Sequence, residues 1–166
     1  MAAKRPVLKI PFTPQERALE WFAIAALVIN LLIVILSWSN LPDKIPVHFN
    51  LAGKPDSYGD KIILLALPLF GFIQYFGLSI LSRFPHTFNY AWRITPQNAA
   101  RQYWLGRMLL TCLKTEFACF LAYITWQLIE IGQSKATGIG FLSVSIFIII
   151  VFGTIEIYFR KAYQAR

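Results

Sequence analysis

Four stretches of the chain are apolar almost all the way round: residues 19–38, 62–81, 108–131 and 139–158. Each is about the 20 residues that carry a helix across a roughly 30 Å hydrocarbon core. A helix on the surface of a soluble domain keeps a polar face, and these do not. The pattern predicts an all-α fold, an integral membrane four-helix bundle forming one domain over residues 1–166. Residues 39–61 form an ordered external loop between the first two spans, and residues 83–107 form a basic loop and helix extension on the other side.

Hydrophobic residues make up 57% of the chain and charged ones 14%, against about a half and about a quarter in soluble domains. The net charge of +8 changes the picture through its placement. Lys4, Arg5, Lys9 and Arg17 precede the first span, Arg83, Arg93, Arg101 and Arg107 lie between the second and third, and Arg160, Lys161 and Arg166 follow the fourth. The opposite side receives Lys44, Lys54, Lys61 and Lys135, and only Lys114 falls inside a span. This positive-inside bias places both termini and the middle loop in the cytoplasm. Attraction to anionic headgroups accounts for the basicity, so nucleic acid is not expected as a partner. Trp21, Trp38, Tyr58, Trp92, Tyr103, Trp104, Trp126 and Tyr158 fall near span ends as an interfacial belt.

Helix starts are legible. Thr13-Pro14-Gln15-Glu16 offers a cap, a proline at the first helical position and a capping box. Ser57-Tyr58-Gly59-Asp60 has the same grammar ahead of the second span. Thr95-Pro96-Gln97 opens a third helix that runs to about Ile131, about 54 Å at 1.5 Å per residue. Its first turns carry Arg101, Tyr103, Trp104 and Arg107 to the inner surface, and Gly132 ends it. The shared Thr-Pro-Gln hints at a duplicated two-span unit.

In the external loop Ile45, Val47 and Phe49 alternate with Pro46, His48 and Asn50, the period of a short strand with one apolar face. Residues 50–53 have turn chemistry, and Pro55-Asp56 begins a second turn. Pro42, Ile45-Pro46, His48-Phe49-Asn50, Gly53 and Asp56 together resemble the signature of a family of small bacterial membrane proteins carrying a domain of unknown function. The same region occurs at the N-terminus of the immunity protein against the sporulation-delay toxin. The likeness continues through Phe88-Asn89-Tyr90, Ile94-Thr95, Asn98-Ala99, Gln102-Tyr103 and Arg107-Met108 to Lys114. The resemblance implies a multi-pass protein of the bacterial cytoplasmic (inner) membrane that binds a peptide, toxin or membrane-protein partner.

Other chemistry is sparse. His48 and Asp56 are too few ligands for a zinc site and are read as a hydrogen-bonded polar edge, so no metal or cofactor is expected. Inside the spans, Asn30, Gln74 and Glu116 fall near the midplane, Lys114 is shallower and Glu156 stands near the inner end of the fourth span. Cys112, Glu116, Cys119, Tyr123, Gln127 and Glu130 share one face of the third helix, which is expected to line the interior. Glu116 is expected to hydrogen-bond Asn30 or Gln74. Lys114, about 200° away around the helix, is expected to snorkel or to pair with Glu156. No phosphate-cradling loop, nucleophile elbow or zinc-protease helix is present, and an enzyme is not expected. The chain is read as a non-catalytic binder, with an oligomeric transporter or proton pathway centred on Glu116 as the alternative. Lipids, a protein or peptide, and a second copy of the chain are the partners this allows. Arg83, Arg93, Arg101, Tyr103, Trp104 and Arg107 are assigned to lipid or partner contact at the inner surface.

Overall fold

Thr13 opens the first helix, α1 (Pro14–Ser37), with the full reciprocal box. Glu16 N–H donates to Thr13 Oγ1 at 3.3 Å and Thr13 N–H donates to Glu16 Oε2 at 2.8 Å, satisfying two of the donors a helix start leaves free. The computed structural model describes residues 5–166; Lys4 lies outside them. A 3₁₀ turn, Trp38–Asn40, ends α1 and leads into an antiparallel hairpin of β1 (Lys44–Phe49) and β2 (Pro55–Asp60). A second 3₁₀ turn, Lys61–Leu65, then feeds α2 (Ala66–Leu81). Next come α3 (Ala99–Gly132) and α4 (Phe141–Gln164). Four helices, counting the adjoining 3₁₀ turns, are long and apolar enough to cross a membrane.

Local chemistry departs from the sequence reading at three points. Ser57 does not cap the second span. It lies in β2, and Asp60 takes the role, its Oδ1 accepting from Ile62 N–H at 2.9 Å. Pro55-Asp56 likewise starts a strand and not a turn. The fold is therefore mostly helical with a two-stranded sheet, and not all-α. At the end of α3, the left-handed residue is Ser134 (φ 60°), with Lys135 N–H donating to Glu130 O at 2.8 Å and Ser134 N–H to Ile131 O at 2.9 Å. These two bonds are the Schellman pattern. Gly132 is the last residue of α3 and also serves packing, because a Cβ there would stand 3.4 Å from Ile45 Cγ2 and 3.5 Å from Leu41.

The start of α3 shows what its kinship with α1 amounts to. Thr95 N–H donates to Asn98 Oδ1 at 2.8 Å and Asn98 N–H to Thr95 Oγ1 at 3.3 Å. Asparagine closes here the box that glutamate closes at Thr13.

The helices do not enclose one common interior. α3 is the hub against which α1, α2, β1 and α4 pack, and the most apolar stretch of α4 buries none of its residues within the protein. Three core clusters follow α3 along its length. Val34, Leu41, Ile45, Leu64 and Ile129 form the one under the hairpin. Ala23, Ala26, Leu27 and Ala118 form the middle one, where Gly71 lets α2 close on Leu27 and Leu121. Tyr90, Ala99 and Tyr103 form the third, at the end where the N-terminal segment meets the start of α3. Small residues permit this close approach of helices in a lipid solvent, where apolar burial alone gives no preference for helix over lipid.

Candidate functional site

The hairpin divides its residues between holding and presenting. Ile45 and Pro46 are buried. Asn50 shapes the tip, its Oδ1 accepting from Ala52 N–H at 2.9 Å and Lys54 N–H at 3.1 Å. Gly53 has φ +73° and donates no side chain to a place where none fits: a Cβ would lie 2.1 Å from Ile139 O. That approach lets Ile139 N–H donate to Gly53 O at 2.9 Å, tying the tip to the α3–α4 connection. The expected alternation of an apolar face fails at Val47, because the strand register shifts between Pro46 and His48. Val47 is exposed as a result, together with Leu51, Tyr58, Pro42, His48 and Asp56, while Phe49 is half-buried. His48 Nδ1 donates to Asp56 Oδ1 at 2.5 Å across the hairpin, both side chains open to solvent. Among the described residues no three His, Cys, Asp or Glu side chains gather as a metal site would need.

Inside the spans the buried polar groups differ from those expected. The interior face of α3 carries Arg107, Thr111, Lys114, Thr115, Ala118, Thr125 and Ile129, and not the face of Cys112, Glu116 and Cys119. Lys114 is 1% exposed. Its Nζ stands 2.5 Å from Glu20 Oε1 and donates to Ser79 Oγ at 2.9 Å. The ammonium also lies 4.8 Å from the centroid of the Tyr75 ring, and Tyr75 OH donates to Glu20 Oε2 at 2.8 Å. Lys114 thus pairs with α1 and α2, and not with Glu156, which takes Arg160 one turn along its own helix. Glu116 faces α4, where Thr154 Oγ1 donates to its Oε1 at 2.5 Å. It does not meet Asn30 or Gln74. Asn30 Nδ2 and Oδ1, Gln74 Oε1 and Glu116 Oε2 are buried without a hydrogen-bond partner. A groove of about 420 Å³ between α3 and α4 runs past Glu116, lined chiefly by Phe120, Tyr123, Ile146, Phe147 and Ile150.

The basic end is also rearranged. Arg83, Arg93 and Arg101 are exposed, and Arg101 lies over the Trp104 ring at 4.5 Å. Tyr103 and Arg107 are buried and so are not surface contacts. Tyr103 OH donates to Pro6 O at 3.0 Å. Arg107 Nε donates to Glu16 Oε1 at 2.6 Å, and its Nη1 and Nη2 donate to Ile10 O at 2.7 Å and Pro11 O at 2.9 Å. Arg5 reaches Phe88 O at 2.6 Å. The N-terminal segment is thereby stitched across the loop that follows α2. Burial pushes the Tyr90 phenol in this cluster well above its ordinary range, and its hydroxyl donates to Pro85 O at 2.9 Å.

Glu20, Tyr75 and Ser79 carry no local sequence signal for this cluster, and Glu16 pairs with Arg107 besides closing the cap. One non-local signal is present. Glu16 and Glu20 are one turn apart on α1, and Arg107 and Lys114 are two turns apart on α3, so two acids on one helix match two bases on another.

These features define a multi-pass membrane protein with a two-stranded hairpin between its first two spans. Residues 25–72 match a family model described as a domain of unknown function (DUF1648), a stretch that includes most of α1, the whole hairpin and the start of α2. An uncharacterized protein of Archaeoglobus fulgidus is 36% identical over 58 residues, covering 35% of this chain and 32% of the relative. The chain thus spans about a third of that relative's length. No solved structure matches.

Proposed function

We propose that the protein is a non-catalytic membrane receptor for an extended peptide, either free or part of another membrane protein, which it binds at the hairpin. The observation that carries this is the division within the hairpin: backbone and core hold it in place while Val47, Leu51 and Tyr58 project unburied. Within the described residues β2 has β1 on one side and no third strand on the other. An extended peptide can add to such an edge, gaining backbone hydrogen bonds and seating alternate side chains on the exposed apolar positions. The likeness of Ile45-Pro46 and His48-Phe49-Asn50 to the toxin-immunity signature supports a peptide ligand by analogy. The excess of Lys and Arg at the opposite end supports a cytoplasmic placement of the termini in the cell's cytoplasmic membrane, which sets the hairpin outside.

Leu51→Ser with Tyr58→Ser tests this without disturbing Asn50 or Gly53. Membranes of the native host, solubilised in mild detergent, are expected to yield a stoichiometric peptide or protein with the wild type. At least tenfold less is expected with the double variant at equal insertion. Equal recovery would end the proposal.

Glu116 supports a second reading, a proton or cation pathway, because its Oε2 is buried and unpartnered beside a groove. Glu116→Gln keeps the acceptor for Thr154 and removes titration. The pathway reading expects proton flux in proteoliposomes to fall to background in this variant, and the receptor reading expects no flux from either protein.

A further inference from the structure

A second groove, of about 590 Å³, opens sideways between the first turns of α1 and the last turns of α2. Phe12, Trp21, Ile24 and Phe76 wall it, and Glu20, Tyr75 and Ser79 lie along it; Arg17 and Arg83 also line it. We propose that this groove is a site for one anionic phospholipid, with the phosphate between Arg17 and Arg83 and one acyl chain along Trp21, Ile24 and Phe76. The proposal is independent of the hairpin and of which side of the membrane is cytoplasmic.

Charge points to an anion. Both guanidinium groups are exposed, and among the described residues neither forms an ion pair. Arg17 Nη2 donates only to Phe12 O, at 3.3 Å. The one carboxylate in the groove, Glu20, is already neutralised by Lys114 at 2.5 Å and takes the Tyr75 hydroxyl. Two unpaired positive charges remain at the mouth. A guanidinium presents a planar fork of donors that fits a phosphate.

Depth points to a lipid rather than a soluble anion. Arg17 stands in the first turn of α1, and Arg83 is two residues beyond α2. Ile24 and Phe76 each lie seven residues further into the membrane, about 10 Å deeper at 1.5 Å per residue. The groove therefore passes from charge through the amphipathic ring of Trp21 to apolar wall over the distance in which a phospholipid passes from headgroup to chain. A free phosphate would leave the apolar wall uncovered, and a cationic amphiphile would meet two arginines.

The test is native mass spectrometry of the whole protein, delipidated in mild detergent and offered equal amounts of phosphatidylglycerol and phosphatidylcholine of the same chain length. The expected result is one retained phosphatidylglycerol per chain, with at least tenfold lower retention in the Arg17→Gln/Arg83→Gln variant. Arg101→Gln, which removes an exposed arginine outside the groove, is expected to retain the lipid like the wild type. A large excess of glycerol 3-phosphate is expected to leave the lipid bound. Equal retention of the two lipids, or equal loss in Arg101→Gln, would overturn the site in favour of none or of diffuse charge. Displacement by glycerol 3-phosphate would overturn the lipid as occupant. Circular dichroism of each variant checks the helices, which these exposed side chains do not hold together.

Discussion

Arg107→Met is expected to cost about 3–5 kcal/mol of stability, the range found when one partner of a buried ion pair is removed. The residue is 4% exposed and Glu16 is 0% exposed. Besides its two bonds to Glu16, at 2.6 and 3.1 Å, the guanidinium donates to the carbonyls of Ile10 and Pro11 and stacks over Phe12 at 4.4 Å. Without it, Glu16 keeps only the capping donors of Thr13, and two backbone carbonyls lose their charged partner. Arg107→Lys is expected to lose nearly as much, since one ammonium cannot span a carboxylate and two carbonyls in the same plane. Glu16→Gln/Arg107→Met is expected to be clearly more stable than Arg107→Met, because glutamine preserves the cap and leaves no buried charge. Equilibrium unfolding in mixed micelles reads all three. A loss under about 1 kcal/mol in Arg107→Met would mean the pair is solvated like a surface bridge.

Lys114→Met is expected to lose about 3 kcal/mol, the lower end of the same range. The lysine is buried, but its partner Glu20 keeps 21% of its side chain open along the lateral groove. Water therefore relieves part of the charge left behind. Ser79 Oγ and the Tyr75 ring also lose the cation they face, which adds to the cost. Glu20→Gln/Lys114→Met is expected to recover most of the loss, and the cycle of the two single variants and the double isolates the coupling. Additive losses in that cycle would show that Lys114 and Glu20 do not act as a pair.

The parts of this architecture legible in the sequence are those written in neighbouring residues. Apolar length marks all four spans, and Thr13 with Glu16 marks the start of α1, because a capping box is closed within four positions. The hairpin's first strand was legible at Ile45, but β2 was not. Pro55, Asp56, Gly59 and Asp60 are depleted in strands, and a proline is tolerated there because it stands first in its strand, in a sheet of two strands. Polarity along the Cys112–Glu116–Cys119 face does not mark the interior face of α3. Helices in lipid meet through small and hydroxyl side chains, so Thr111, Thr115, Ala118 and Thr125 turn inward and Cys119 turns out. Periodicity shows which residues share a face and not which helix that face meets. The pairing of Lys114 with Glu20 depends on α3 lying beside α1, which no local pattern encodes.

Among the described residues the two acids of α1 are matched by bases on α3, and Glu16 precedes Arg107 by 91 residues. While the chain is being synthesised, α1, the hairpin and α2 are all made before either cation exists. A nascent chain interrupted at that stage carries two unneutralised carboxylates on its first helix, so an unfinished molecule is chemically distinct from a finished one. Arg107 and then Lys114 remove that difference as α3 is made, so the two charge pairs tie the first half of the protein to the second.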